Sequence, residues 1–409
     1  MPGNQASAGH LLRLIRSGEA TTRGDLQRAT GLSRSTVGHR LDQLFGAGWL
    51  RDAAGTSTGG RPSARIEFDP KHAVVLAVDL ETRHARAAVL DLTGTVLAVR
   101  SGALLIGDGP VAVLGELARW FAPLLAEAGA GPTDVCGIGL SVPGPVDFGT
   151  GRVVQPPIMP GWDGFPIRET MQEAYEEHVG PSREPGPVPV LVDNDANLMA
   201  YAEHRAAHAG CSAFLLVKAS TGIGAGVVVD GGIYRGIDGS AGDIGHIRLH
   251  DRPDALCMCG SYGCLAAVAS GRALAAQLSE LGVPTTSGSD VRRLLAEGQP
   301  DAVRLAREAG QLIGEVLATV VTLLNPGVLV LTGDLAGTPF LTGVRELLYQ
   351  RAMPRTTAHL DVVTGRLDDR AGLTGAAALV VEHLYAPDLA DRRLAALNAT
   401  ADRRHGAPA

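Results

Sequence analysis

Four residues carry the sharpest chemical signal in the chain. His246, Cys257, Cys259 and Cys264 follow the pattern His-x10-Cys-x-Cys-x4-Cys. They supply one imidazole and three thiolates, a closed tetrahedral set that suits zinc. Three of the five cysteines fall within eight residues, and Gly260 and Gly263 between them let the backbone wrap a single ion. A chance cluster of buried thiols does not need this spacing, and a structural metal does. With all four ligands from the protein, the expected Zn2+ is structural and not a Lewis acid. Cys136 and Cys211 lie in apolar contexts and read as core.

A second set is basic and hydroxylic. Leu11, Leu12, Leu14 and Ile15 place an apolar stripe on a first short helix that ends near Gly18. Thr22 caps a second helix, with Leu26 and Ala29 inward and Gly31 closing it. Ser33 caps a third, whose inward face is Val37, Leu41, Leu44 and Phe45. Near its start the opposite face shows Arg34, Ser35, Thr36, His39 and Arg40. Such groups reach base edges and phosphates from a helix lying in the major groove. Beyond Trp49, the stretches Leu50–Asp52 and Ala64–Phe68 read as two strands around a small-residue loop, a wing. Its Gly59-Gly60-Arg61-Pro62 tip carries Arg61 on a thin extended backbone, a shape that enters a narrow A·T minor groove. The expected partner is a duplex DNA operator; the bland alternative is a solvated three-helix module. Charge agrees with DNA. Residues 1–70 hold nine arginines against six acidic residues, whereas the remainder holds 27 basic against 37 acidic. A basic head on an acidic body meets a polyanion only through the head.

The body repeats itself. Val75–Asp79, a turn and Ala85–Asp91 recur 139 residues later as Phe214–Lys218, a Gly-rich turn and Ala225–Asp230. Each copy continues into a third apolar strand, at Val96–Val99 and Ile233-Tyr234. A duplicated hairpin-plus-strand unit with helices between predicts a two-lobed α/β protein with a ligand-binding cleft.

At this point the body resembles the ROK family (repressors, open reading frames and sugar kinases). The landmarks are Gly137-Ile138-Gly139-Leu140-Ser141-Val142-Pro143-Gly144-Pro145-Val146-Asp147, Pro160-Gly161-Trp162, Asn194-Asp195-Ala196-Asn197 and Thr221-Gly222-Ile223-Gly224-Ala225-Gly226. Gly242-Asp243-Ile244-Gly245-His246, Cys257-Met258-Cys259-Gly260, Gly263-Cys264-Leu265 and Asn325-Pro326 follow in order. The resemblance spans roughly residues 8–385, and a helix-turn-helix in front is similar to the repressor branch. It implies an actin-like, ribonuclease-H-like sugar-kinase fold behind a winged helix-turn-helix. It also implies a sugar or related effector held by Asn194, Asp195, Asp243 and His246, with Asp195 matching the general base of kinase members. Asn and Asp at a strand-to-helix junction equally suit a helix N-cap, and both roles can hold together.

Several positions depart from the family pattern. Asp243 stands where the family has Glu, and Ala266 where it has a second Glu that binds sugar. The phosphate loop reads Asp79-Leu80-Glu81-Thr82-Arg83-His84 instead of Asp-x-Gly-Gly-Thr, and the later turn is Thr332-Gly333-Asp334 instead of a glycine pair. Phosphoryl transfer depends on positioning and charge stabilisation, so these changes predict a vestigial kinase for which ATP is not a cofactor. Asp195 then keeps only a binding role. An active sugar kinase with a DNA-binding head, and a regulator that needs no ligand, are the competing readings.

Composition sets the frame. Over 409 residues, 45% are hydrophobic and 19% charged, which is globular and not disordered. Aromatics are 4%, and only Lys71 and Lys218 among 36 basic residues are lysines, a usage that fits a GC-rich coding bias. Met1–Gly18 lacks an apolar export core, and the uncharged stretch Val316–Gly333 is broken by Asn325-Pro326-Gly327. A cytoplasmic protein with no membrane partner is expected. The predicted division is a DNA-binding head over 1–70, a first lobe over 71–190 completed by a helix near 374–386, a second lobe with the metal site over 191–373, and a partly disordered tail over 387–409. Two half-sites add specificity to a small head, so a homodimer or homotetramer is expected.

Overall fold

The computed structural model describes residues 6–53, 65–182 and 186–405. The head opens with three helices, α1 (Ala8–Arg16), α2 (Arg23–Thr30) and α3 (Arg34–Gly46). Each begins where a hydroxyl accepts from a free backbone amide. Ser7 Oγ accepts from the His10 amide at 3.1 Å, Thr22 Oγ1 from Asp25 at 3.1 Å and Ser33 Oγ from Thr36 at 3.2 Å. At the start of α2 the Asp25 carboxylate accepts in return from the Thr22 amide, which completes a capping box. Gly31 ends the helix in the left-handed region at φ 70°. Leu26, Val37, Leu41 and Leu44 are buried as predicted and Phe45 partly so, but Ala29 is exposed. Helix α2 buries one narrow stripe through Leu26, and Ala29 falls outside it.

Strands β1 (Leu50–Ala53) and β2 (Arg65–Phe68) pair antiparallel, Leu50 opposite Phe68. That is the base of the expected wing. Arg61 and the rest of its tip lie outside the described residues.

The duplication is evident in the sheets. The first contains β3 (Val74–Leu80), β4 (His84–Asp91), β5 (Val96–Ala103), β6 (Val135–Val142) and β7 (Val190–Asn194), in the spatial order β5-β4-β3-β6-β7. The second contains β8 (Ala213–Ala219), β9 (Ile223–Val229), β10 (Gly232–Ile233), β11 (Val328–Thr332) and β12 (Asp361–Thr364), in the order β10-β9-β8-β11-β12. Both sheets place an antiparallel hairpin beside two parallel strands, so the order is the same. Between β7 and β8 runs α4 (Asp195–Ala207), which packs on β8 and β9 and against α5 (Ala371–Leu384). Helix α5 lies on β3, β6 and β7 of the first sheet.

Residues 387–405 depart from the expected tail. They form α6 (Pro387–His405), which packs along α1 with Ala390 and Leu394 buried. One hydrophobic core therefore runs from Leu11, Leu41 and Trp49 in the head through Tyr385 and Leu394 to Val75 and Ala77 in the first sheet. None of the described helices is long and apolar enough to cross a membrane.

Candidate functional site

His246, Cys257, Cys259 and Cys264 meet as their spacing predicts, with one ligand atom from each lying within 4.8 Å of the others. A short 3-10 turn, Ile244–His246, presents the imidazole. The cysteines sit on a loop that folds back on itself, with the Cys257 amide donating to the Ser261 carbonyl at 2.8 Å and the Gly260 amide to the Cys257 carbonyl at 3.0 Å. Gly260 and Gly263 take φ of 83° and 77°, which suits glycine. His246 Nδ1 is 3.6 Å from Cys257 Sγ, and the sulfurs of Cys259 and Cys264 are 3.8 Å apart. Its other nitrogen, Nε2, faces the Asp243 carboxylate at 3.9 Å. Burial pushes the Cys264 thiol up to about 12, so a cation is what would ionise it. The geometry is compatible with a structural metal site.

The cleft of about 920 Å³ between the lobes is lined by Asp79, Glu81, Arg83, Arg86, Lys218 and Asp334, among others. Asn194 is an N-cap: Oδ1 accepts from the Ala196 and Asn197 amides at 2.9 and 3.2 Å, while Nδ2 donates to the Gly144 carbonyl. Asp195 heads α4 and receives the Lys218 ammonium at 2.6 Å. The segment bearing Asp243 and His246 is held to the other side of β9, where the Ala225 amide donates to the Gly242 carbonyl at 2.8 Å. Strand β9 thus supports both halves of the predicted sugar set. Ala266 is buried and offers no polar atom.

Glu81, in the turn between β3 and β4, is engaged. Glu81 accepts from Arg86 at 2.8 Å, and Arg86 also meets Asp79 at 3.8 Å and Asp369 at 3.3 Å. Asp369 meets Arg292 of the second lobe at 3.4 Å, so the acid joins the two sides of the cleft. Burial raises the pKa of Asp334, in the turn after β11. On the opposite side, Arg235 donates to the buried Asp193 at 2.8 and 2.6 Å and stacks over Phe148 at 4.0 Å. The motifs did not single out Lys218 or Arg235. Their signal was faint: a lysine inside an apolar strand in a chain that otherwise uses arginine, and a lone arginine after the third strand.

The ROK family model matches residues 75–383. The chain belongs to the ROK family. Within ROK, the xylose repressor of Caldicellulosiruptor bescii is 25% identical over 391 residues, covering 91% of this chain and 95% of that protein. A glucokinase from Halalkalibacterium halodurans is 28% identical over 291 residues, covering 67% of this chain and 84% of the enzyme. Among solved structures, a ROK family transcriptional regulator, a homolog of the Escherichia coli MLC protein, superposes with a TM-score of 0.77 at 24% identity, covering 96% of this chain and 99% of its own. That likeness establishes the fold, head included.

On the predicted DNA face, Arg34, Ser35 and His39 are exposed and Thr36 is partly so. The hydroxyls of Ser35 and Thr36 each lie 2.9 Å from Ser33 Oγ. Arg40 is turned inward, with Nε donating to the Ala6 carbonyl at 3.2 Å and Nη1 to Gln43.

Proposed function

We propose that the chain is a DNA-binding transcriptional repressor whose ROK body senses a sugar or sugar derivative and does not phosphorylate it. One observation carries the reading. A capped helix with Arg34, Ser35 and His39 free to solvent shares a core with a kinase-like body, and the acid matching the kinase base in that body is held by a lysine. Relatives named as xylose repressors, similar over nine-tenths of the chain, favour a sugar effector.

Arg34, Ser35, Thr36 and His39 read the major groove and Arg61 an adjacent minor groove, while Arg40 braces α3 against the start of α1. Two heads on a symmetric dimer or tetramer meet two half-sites, in the cytoplasm. The effector lies between Asn194-Asp195 and Asp243-His246, one acceptor poorer for Ala266. The metal is zinc. Tetrahedral bonds of about 2.3 Å to sulfur and about 2.05 Å to nitrogen give edges of about 3.8 Å between sulfurs and about 3.6 Å from nitrogen to sulfur. Those edges match the Cys259–Cys264 and Cys257–His246 separations. When bound, it would fix the loop that carries His246 to the cleft.

Selection of an operator from random duplexes, followed by titration of the full chain, tests the reading. Ser35→Ala and His39→Ala should change base preference, and Arg61→Ala should weaken binding chiefly at A·T-rich flanks. ATP-dependent phosphorylation of a hexose that is lost in Asp195→Asn would instead identify a working kinase.

A further inference from the structure

Of the five cysteines in the chain, Cys136, Cys257 and Cys264 are buried and Cys211 is half-buried, but Cys259 is exposed. It stands at the tip of the loop that gathers the four ligand side chains, between Met258 and Gly260, which are exposed as well. A Cβ on Gly260 would meet nothing, so the tip has room to move. Cys264 is placed differently. It pairs with Arg248 in an antiparallel bridge and precedes the short helix Leu265–Ala269, whose Leu265 amide donates to the Ile247 carbonyl at 2.9 Å. Its sulfur lies 3.8 Å from that of Cys259. An exposed thiol on an open tip and a buried thiol on a fixed support therefore face each other.

Exposure decides which sulfur an oxidant meets, and a second thiol beside it decides whether oxidation stops at a reversible disulfide. We propose that Cys259 is a site of reversible oxidation by hydrogen peroxide, with Cys264 as its resolving thiol. The Cys259 thiolate attacks one peroxide oxygen, the O–O bond breaks, and the departing hydroxide takes a proton and leaves as water. The Cys264 thiolate then attacks the sulfur of the resulting sulfenic acid. An S–S bond forms, the S–O bond breaks, and a second hydroxide takes a second proton. Two sulfurs lose two electrons and one peroxide gains them. The sulfurs must close from 3.8 Å to about 2.05 Å, which the open tip allows. Cys257 is a poorer partner. A ring closed over one residue is short and stiff, whereas four residues separate Cys259 from Cys264 and two of them are glycines at positive φ. Oxidation leaves His246 and Cys257, two donors where a closed tetrahedral site takes four. The metal is then released and His246 is unfastened from the loop.

The loss of metal rests on the zinc reading above; the sulfur chemistry does not. The experiment treats the full chain, purified without chelator, with hydrogen peroxide. Released zinc is read with a chromophoric chelator, and the thiols are alkylated and mapped by mass spectrometry without reduction. Peroxide should release the zinc and join Cys259 to Cys264, leaving Cys257, Cys136 and Cys211 free to alkylate. Dithiothreitol with added zinc should restore the loaded protein. Dimedone present during oxidation should label Cys259 and neither Cys257 nor Cys264. In Cys264→Ala that label should rise, because nothing resolves the sulfenic acid; should this variant fail to fold, the wild-type map alone decides. Met258 serves as a gauge, since its sulfoxide shows that peroxide has reached the loop. Three thiols still free to alkylate once Met258 is oxidised overturn the proposal. So does a disulfide that includes Cys257, or Cys259 over-oxidised beside a free Cys264. A chain isolated without zinc fails the metal reading alone: a Cys259–Cys264 bond formed in it by peroxide sustains the proposal, and its absence overturns it.

Discussion

Among single residues, the four proposed metal ligands are expected to have the largest consequence for stability. Cys257 and Cys264 are buried, and for Cys264 burial opposes ionisation of the thiol. A divalent cation held at the centre would reverse that preference, and folding of the loop and binding of the metal would then be one event. Cys257→Ser is expected to lower zinc from one per chain to well below one and to cost at least about 3 kcal/mol in urea unfolding. Metal analysis of protein purified without chelator, alongside the unfolding curves, checks both parts. These ligands were legible in the sequence because they lie within nineteen residues and a loop can gather them without help from the rest of the fold. Lys218 was not, although it stood in plain view as a lysine on an apolar strand. Its partner Asp195 heads another element, and only the packing of α4 on β8 shows that the two meet. An asparagine at a strand-to-helix junction suits both a cap and a ligand contact, and the structure shows the capping role of Asn194 through two backbone amides.

At the scale of elements, local rules located every helix of the head, because each start is capped by a hydroxyl of its own segment. Helix α2 depends most on its cap, since only Leu26 is buried along its length. Thr22→Ala is expected to cost about 1 kcal/mol, to fray α2 in hydrogen exchange and to weaken operator binding through the displaced α3. The acid half of the cap sets a pH dependence. Hydrogen bonding from Thr22, opposed in part by desolvation, holds the Asp25 carboxyl below its ordinary 3.8. A depressed carboxylate adds stability that is complete above the unfolded value and lost as pH falls towards the folded one. The difference between wild type and Thr22→Ala should therefore be constant at neutral pH and shrink below pH of about 4. Helix α6 was missed for the opposite reason. Leu389, Ala390, Leu394 and Leu397 carry a helical stripe, but the surface that covers it is α1, at the other end of the chain.

The whole molecule joins the cleft to the head through one continuous path of helix. Helix α5 has Gly372 of its first turn against Asp79 and is followed at its C-cap by Tyr385, whose ring meets Trp49 and Phe68 of the head at 5.2 and 5.0 Å. The hydroxyl of Tyr385 lies 2.6 Å from His72 Nε2, and the guanidiniums of Arg16 and Arg393 stack on its ring. Helix α6 then turns back along α1, where the Gly9 amide donates to Asp391 at 2.8 Å. A ligand shifts a distant site only if the two conformations differ in what they contact, and this packed chain of contacts is where such a difference can be read by the head. Gly9 is the place to test it. A Cβ on Gly9 would run into the backbone of Pro387, and neither helix can yield there without moving α6 off α1. Gly9→Ala is expected to cost about 2 kcal/mol as an overpacking change. It should also reduce the effector-dependent change in operator affinity at least about fivefold, the loss of a coupling of about 1 kcal/mol. Sugar affinity measured by calorimetry without DNA should stay within a factor of about two, because the cleft residues do not move. An equal fall in sugar affinity would place the damage in the body at large and remove α6 from the path; a full effector response in Gly9→Ala would show that the head is reached by another route.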